Sequence, residues 1–166
     1  PILTCSFTQN ELHSVAGNVF VEVQKVSIKI PIETSARHLH ISQEDFEKLF
    51  GEGSRPHFIR ELSQPGQYLC QERVTVKGPK GVFQNMALLG PFRKETQVEL
   101  SLTDVRKLSI PGVIRQSGDI ENTPGCILSG PCGDIEIPKG VIVAKRHIHM
   151  TPEDALALHI KDNDEV

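Results

Sequence analysis

The tightest constraint on this chain is a nonapeptide that occurs twice. Arg37-His38-Leu39-His40-Ile41-Ser42-Gln43-Glu44-Asp45 returns, at a constant offset, as Arg146-His147-Ile148-His149-Met150-Thr151-Pro152-Glu153-Asp154. Arginine, both histidines, glutamate and aspartate coincide. The other positions exchange one apolar residue for another, serine for threonine, or glutamine for proline. Such an internal repeat implies two copies of one structural unit, here a strand carrying His-x-His followed by a capped helix. Side chains two apart on a strand share a face. His38 and His40 therefore present two imidazoles together, and His147 and His149 do the same. Neutral imidazole is the commonest metal ligand. Each pair stands just before a helix N-terminus, whose N–H groups and dipole favour anions. Arg37 and Arg146 add fixed positive charge, so metal, arginine and helix end together suit phosphate. The Glu-Asp pairs read as first-turn charges and capping groups rather than catalytic acids.

Around the repeats the pattern is one of short elements. Thr8-Gln9-Asn10-Glu11 fits a capping box, and the apolar residues that follow predict a helix over 9–25. Residues 26–32 alternate as a strand does. A short helix is predicted over 43–50, closed by Gly51, then a polar loop containing Pro56, Pro65 and Gly66. Val74-Thr75-Val76 and Val82-Phe83 flank Lys77-Gly78-Pro79-Lys80-Gly81, a hairpin signal. Ile127-Leu128 and Ile135-Glu136-Ile137 flank a second turn of the same style. Val98-Glu99-Leu100 and Val141-Ile142-Val143-Ala144 read as strands, and 102–108 as a helix. Thr151 caps a final helix with Pro152 at its first position. The fold class is mainly β with short helices, in barrels or sandwiches. The end, Asp162-Asn163-Asp164-Glu165-Val166, reads as a turn and the first residue of a strand, so further chain is expected beyond it.

Composition excludes several classes. A length of 166 residues allows one globular unit or two small, intimately packed halves. The net charge of −3 provides no basic field to recruit nucleic acid or an anionic membrane. No apolar run approaches the ~20 residues of a spanning helix, and the N-terminus lacks the pattern of a secretory signal. A cytoplasmic location follows as the expectation. The four cysteines form no Cys-x-x-Cys pair and read as free, mostly buried thiols.

Five strings in order carry a family resemblance: Ser35-Ala36-Arg37-His38-Leu39-His40; Leu62-Ser63-Gln64-Pro65-Gly66-Gln67; Gly90-Pro91-Phe92-Arg93-Lys94-Glu95-Thr96-Gln97-Val98-Glu99; Ser117-Gly118-Asp119; and Val143 to Asp154. From about Ile30 onward the chain resembles the PduL-type phosphotransacylases, the phosphate propanoyltransferase family. The resemblance implies two β-barrels capped by short helices, related by the internal repeat. The first would occupy 26–110 with His38 and His40, and the second 111–166 with His147 and His149, C-terminally incomplete. It implies interconversion of a short-chain acyl-CoA plus phosphate with acyl phosphate plus CoA. It also implies two zinc ions: one on His38, His40 and Glu99, the other on His147, His149 and a histidine that would lie beyond Val166. The second site would thus be incomplete in this chain. Arg93 would bind phosphate. Microcompartment members of the family carry an N-terminal encapsulation helix. Residues 1–25 match nothing else in the resemblance, and 9–25 is expected to be either a plain packing helix or such a peptide. A homo-oligomer and a microcompartment shell are the macromolecular partners the resemblance admits, beside the CoA thioester and phosphate.

The expected mechanism is direct attack of phosphate on the thioester, with the His38/His40/Glu99 metal at the thioester and the His147/His149 metal and Arg93 at phosphate. No serine or cysteine nucleophile is required. Lys77 and Lys80 are candidates for CoA phosphates, against the plainer reading of solvated lysines at a hairpin tip. Two rivals stand: a zinc hydrolase, separated by whether acyl-CoA consumption needs phosphate, and a metal-stabilised binding or shell-associated module, separated by whether CoA is released at all.

Overall fold

The computed structural model describes residues 37–165 and the strand Ile2–Leu3. The helix expected over 9–25 and the strand over 26–32 lie outside the described residues. Those described divide into two compact units, one within Ala36–Lys145, the other comprising the residues from Arg146 onward with Ile2–Leu3.

In chain order the elements are β1 (Ile2–Leu3), β2 (His38–Ser42), α1 (Gln43–Phe50), β3 (Phe58–Glu61), β4 (Tyr68–Lys77), β5 (Val82–Arg93), β6 (Gln97–Glu99), α2 (Leu102–Leu108), β7 (Ile114–Arg115), β8 (Cys126–Gly130), β9 (Gly133–Ile137), β10 (Val141–Ala144), β11 (Ile148–His149) and α3 (Pro152–Ala157). The first unit is mainly β. Nine of these strands form one curled sheet in the order β7-β10-β6-β2-β5-β4-β8-β9, with β3 added alongside β4. The sheet is mixed. Strand β2 runs antiparallel to β6 and parallel to β5, while β4, β5, β8 and β9 pair antiparallel.

The core follows the period of two. Leu39 and Ile41 of β2, Val98 of β6, Val74 and Val76 of β4, Leu88 of β5 and Leu128 of β8 are all at most 1% exposed, and Phe46 and Leu49 of α1 pack among them. Helix α1 starts where the pattern predicts: Ser42 accepts a hydrogen bond from the Asp45 N–H, and Gly51 closes it at φ 107°. Thr96 ties this helix start to the loop before β6, its hydroxyl donating to Asp45 at 2.6 Å and accepting from the Ser42 N–H. Asp45 is thus a first-turn group.

Helices 43–50 and 102–108, both hairpins and the strand at 141–144 stand where the sequence pattern put them. Four strands of the first unit do not: β3, β4, β5 and the two-residue β7, where the pattern marks no element. Strand β3 falls in what reads as a polar loop; all four of its residues are exposed, so it has no alternating apolar signal. Strands β4 and β5 extend far beyond 74–76 and 82–83. Gln71-Glu72-Arg73 in one and Gly90-Pro91 in the other interrupt the apolar pattern, and glycine and proline argue against a central strand. The pairing survives through register shifts between Leu69 and Arg73 and between Val74 and Val76.

The second unit is small. Strand β11 pairs antiparallel with β1, Thr151 accepts from the Asp154 N–H as N-cap, and Pro152 opens α3. Among the described residues no helix is long and apolar enough to cross a membrane.

Candidate metal centre

Strand register assembles the site. In the β2–β6 pair His38 lies opposite Glu99, and His40 opposite Gln97. Directly opposed residues share a face, and so do residues two apart along each strand. The four side chains therefore form a rectangle on one face of the sheet, while Leu39 and Val98 point into the core on the other. His40 Nε2, His38 Nε2 and a Glu99 carboxylate oxygen lie close: His38 is 3.5 Å from Oε2 and His40 4.0 Å from Oε1. The three ligand atoms lie within 4.8 Å of one another. A tetrahedral metal ion with bonds of about 2.0–2.2 Å separates its donors by ~3.4 Å, so the set closes on an ion with sub-ångström shifts. Two imidazoles and a carboxylate leave a fourth position open, the pattern of a catalytic centre.

Electrostatics agree with a ligand set. Burial pushes the His40 pKa well down, and the charges of Arg93 and His38 push the same way, leaving the imidazole neutral. Burial alone would raise the Glu99 pKa. The hydrogen bond and charge of His38, then the Ser117 hydrogen bond, outweigh it and keep the carboxylate ionised.

A layer of polar groups holds that carboxylate. Gln97, 1% exposed, donates to Glu99 Oε1 at 2.6 Å, and Ser117 Oγ donates to the same oxygen at 2.9 Å. The Gly118 N–H donates to Gln97 Oε1 at 2.6 Å, and Arg93 Nη1 donates to Ser117 Oγ at 3.0 Å. Half-buried Arg93, at the end of β5, thus stands one hydroxyl away from Glu99. Neither Gln97 nor Ser117 stands in a local pattern that by itself marks it as functional. The polar alternation Gln97-x-Glu99, a counterpart of His38-x-His40, is the signal that could have found the first.

The remaining candidates are placed as follows. Arg37 donates through Nε to Asp104 at 3.0 Å and lies 4.2 Å over the Phe83 ring, which holds it against α2. Lys77 pairs with Asp134 at 2.7 Å, and Lys80 is exposed at the hairpin turn. In the other unit the Nε2 atoms of His147 and His149 converge to 3.1 Å, near the spacing of two imidazoles on one ion, and Arg146 is exposed. Of the described cysteines, Cys70 and Cys126 are buried and Cys132 is exposed, all free.

The Arg37–Asp104 pair carries a pH prediction. Burial raises the Asp104 pKa, but hydrogen bonds from Ser101 and Arg37 outweigh it and hold the carboxyl below its ordinary value. A depressed carboxyl stabilises the fold above the unfolded pKa, and that stability is lost as pH falls through the folded pKa. Asp104→Asn should therefore be less stable than the parent near neutral pH, with the gap narrowing as pH drops below the usual carboxylate range. Denaturant midpoints measured across that range check it; a constant gap would mean that the ion pair contributes nothing.

Fold and site together define a β-sheet protein with a buried two-histidine, one-carboxylate centre beside an arginine. The family model described as phosphate propanoyltransferase matches residues 31–166. Phosphate propanoyltransferase of Clostridioides difficile is 49% identical over 156 residues, 94% of this chain and 74% of that protein. That of Alkaliphilus metalliredigens is 50% identical over 147 residues, covering 89% and 69%. That of Salmonella typhimurium is 48% identical over 137 residues, covering 82% and 65%. The chain belongs to the phosphate propanoyltransferase family, transferases acting on acyl groups.

Proposed function

We propose that this protein transfers a short acyl group between coenzyme A and inorganic phosphate, with zinc at His38, His40 and Glu99. The observation that carries the proposal is the buried donor set of these three residues, linked through Ser117 to the half-buried Arg93. When bound there, zinc supplies a Lewis acid for the thioester and a seat for thiolate sulfur. Arg93 binds the phosphate dianion with its remaining N–H donors and, as an always-charged planar fork, holds it in line with the carbonyl carbon. A phosphate oxygen then forms a bond to that carbon and the C–S bond breaks, its electron pair leaving with CoA as thiolate. The products are acyl phosphate and CoA, with no change of oxidation state.

His147 and His149 are proposed as ligands of a second zinc, and the two nonapeptides as equivalent parts of two barrels divided near residue 110. Arg37, Arg146, Lys77 and Lys80 remain candidates for anionic groups of substrate. Arg37 and Lys77 have carboxylate partners, which makes them the weaker ones. Cytoplasmic or microcompartment location, a homo-oligomer and a shell partner are carried by the same family reading.

The test is CoA release from acetyl-CoA and propanoyl-CoA, with and without phosphate. Release that needs phosphate is expected; equal release without it would identify a hydrolase. Arg93→Lys keeps the charge and loses the fork. It should raise the phosphate KM by roughly ten-fold, the ~1.4 kcal/mol expected of one charge-assisted hydrogen bond, with the acyl-CoA KM nearly unchanged. Equal weakening of both substrates would remove Arg93 from the phosphate site.

A further inference from the structure

We infer that Gln97 and Ser117 are positioning residues that restrict Glu99 to one ligating oxygen, Oε2, and lock that carboxylate to Arg93; the inference rests on the metal site proposed above. Donor counting fixes the arrangement. The Gln97 amide oxygen receives the Gly118 N–H at 2.6 Å, so its NH₂ faces Glu99 Oε1 at 2.6 Å and Ser117 Oγ at 3.0 Å. Ser117 Oγ then receives two donors, from Gln97 and from Arg93. A hydroxyl with both lone pairs engaged has only its own proton left to give, and the acceptor in reach is Glu99 Oε1 at 2.9 Å. Oε1 is thus saturated by two donors, and Oε2 is the oxygen left to ligate; it lies 3.5 Å from His38 Nε2, while His40 Nε2 stands 4.0 Å from Oε1. Gln97 is fully buried and Glu99 nearly so, so water does not substitute cheaply for a lost donor.

The consequence is a ligand held in one orientation. Without Ser117, the carboxylate can rotate and Arg93 loses its anchor at the same time. Such outer groups are worth roughly 10–100-fold in metal affinity. Cobalt(II) titration with a competing chelator, in a full-length background with His147→Ala and His149→Ala, reads the single site. Wild-type residues at 97 and 117 should give tight binding with a d–d absorption band. Ser117→Ala and Gln97→Met should weaken binding by about ten-fold or more and change the band shape. Ser117→Thr, which keeps the hydroxyl, should restore both. In turnover, Ser117→Ala should also raise the phosphate KM, because Arg93 is released. Thermal unfolding in chelator separates these effects from loss of fold: variants that melt like the parent yet bind cobalt less tightly support the inference. Parental affinity and spectrum in both variants would overturn it. If His38→Ala in the same background binds cobalt as tightly as the parent, the metal site itself is wrong and the inference falls with it.

Discussion

His40→Ala is expected to remove one metal equivalent and to lower phosphate-dependent CoA release by about a thousand-fold or more. His40 is 2% exposed and lies opposite Gln97 in the β2–β6 pair, so no other described histidine on that face can replace it. Its burial keeps the imidazole neutral and available as a ligand. Removing it leaves His38 and Glu99, a two-donor set that holds an ion far more weakly than three. The lost Lewis acid is worth several kcal/mol of transition-state stabilisation, and each ~1.4 kcal/mol is ten-fold in rate. Elemental analysis and the CoA-release assay on the same preparation provide the check. Thermal melting in chelator shows whether the fold persists. A folded variant with unchanged metal content and rate would exclude His40 as a ligand.

How legible this site was depends on how local its residues are. His38 and His40 were readable because strand geometry puts i and i+2 on one face, and α1 because its cap, its closing glycine and its apolar residues all lie within ten positions. Glu99 is marked only by the family resemblance. What joins it to His38 is antiparallel pairing across some sixty residues of chain, and one sequence does not reveal register. Gln97 and Ser117 acquire meaning only after that register is known, since each acts through Glu99. Strands β4 and β5 outrun their apolar signal for a related reason: bulges let polar, glycine and proline residues run inside the sheet. The capping role read for Asp45 was legible because it is set within one helical turn.

Phe46→Ala should cost about 3–5 kcal/mol of folding stability, a large part of the ~5–15 kcal/mol typical of a domain. The Phe46 ring is fully buried, stacks on Phe50 with centroids 4.6 Å apart and meets Phe92 edge-on at 5.3 Å. Truncation leaves a cavity bounded by α1 and the sheet, and close-packed interiors collapse only partly around such a void. The loss should reach the metal centre by a short route. Helix α1 is capped by Ser42, the last residue of β2, and Ser42 is in register with Arg93 of β5. Loosening α1 therefore loosens the strand that presents His38 and His40 and the segment that carries Arg93. Metal affinity should fall, but less than in His40→Ala, because every ligand remains. Phe46→Leu keeps most of the apolar volume and should cost markedly less. Urea unfolding with an unchanged slope and a lower midpoint is the expected signature. If Phe46→Ala loses less than about 1 kcal/mol, α1 is not integral to the core and the coupling from helix to metal centre does not hold.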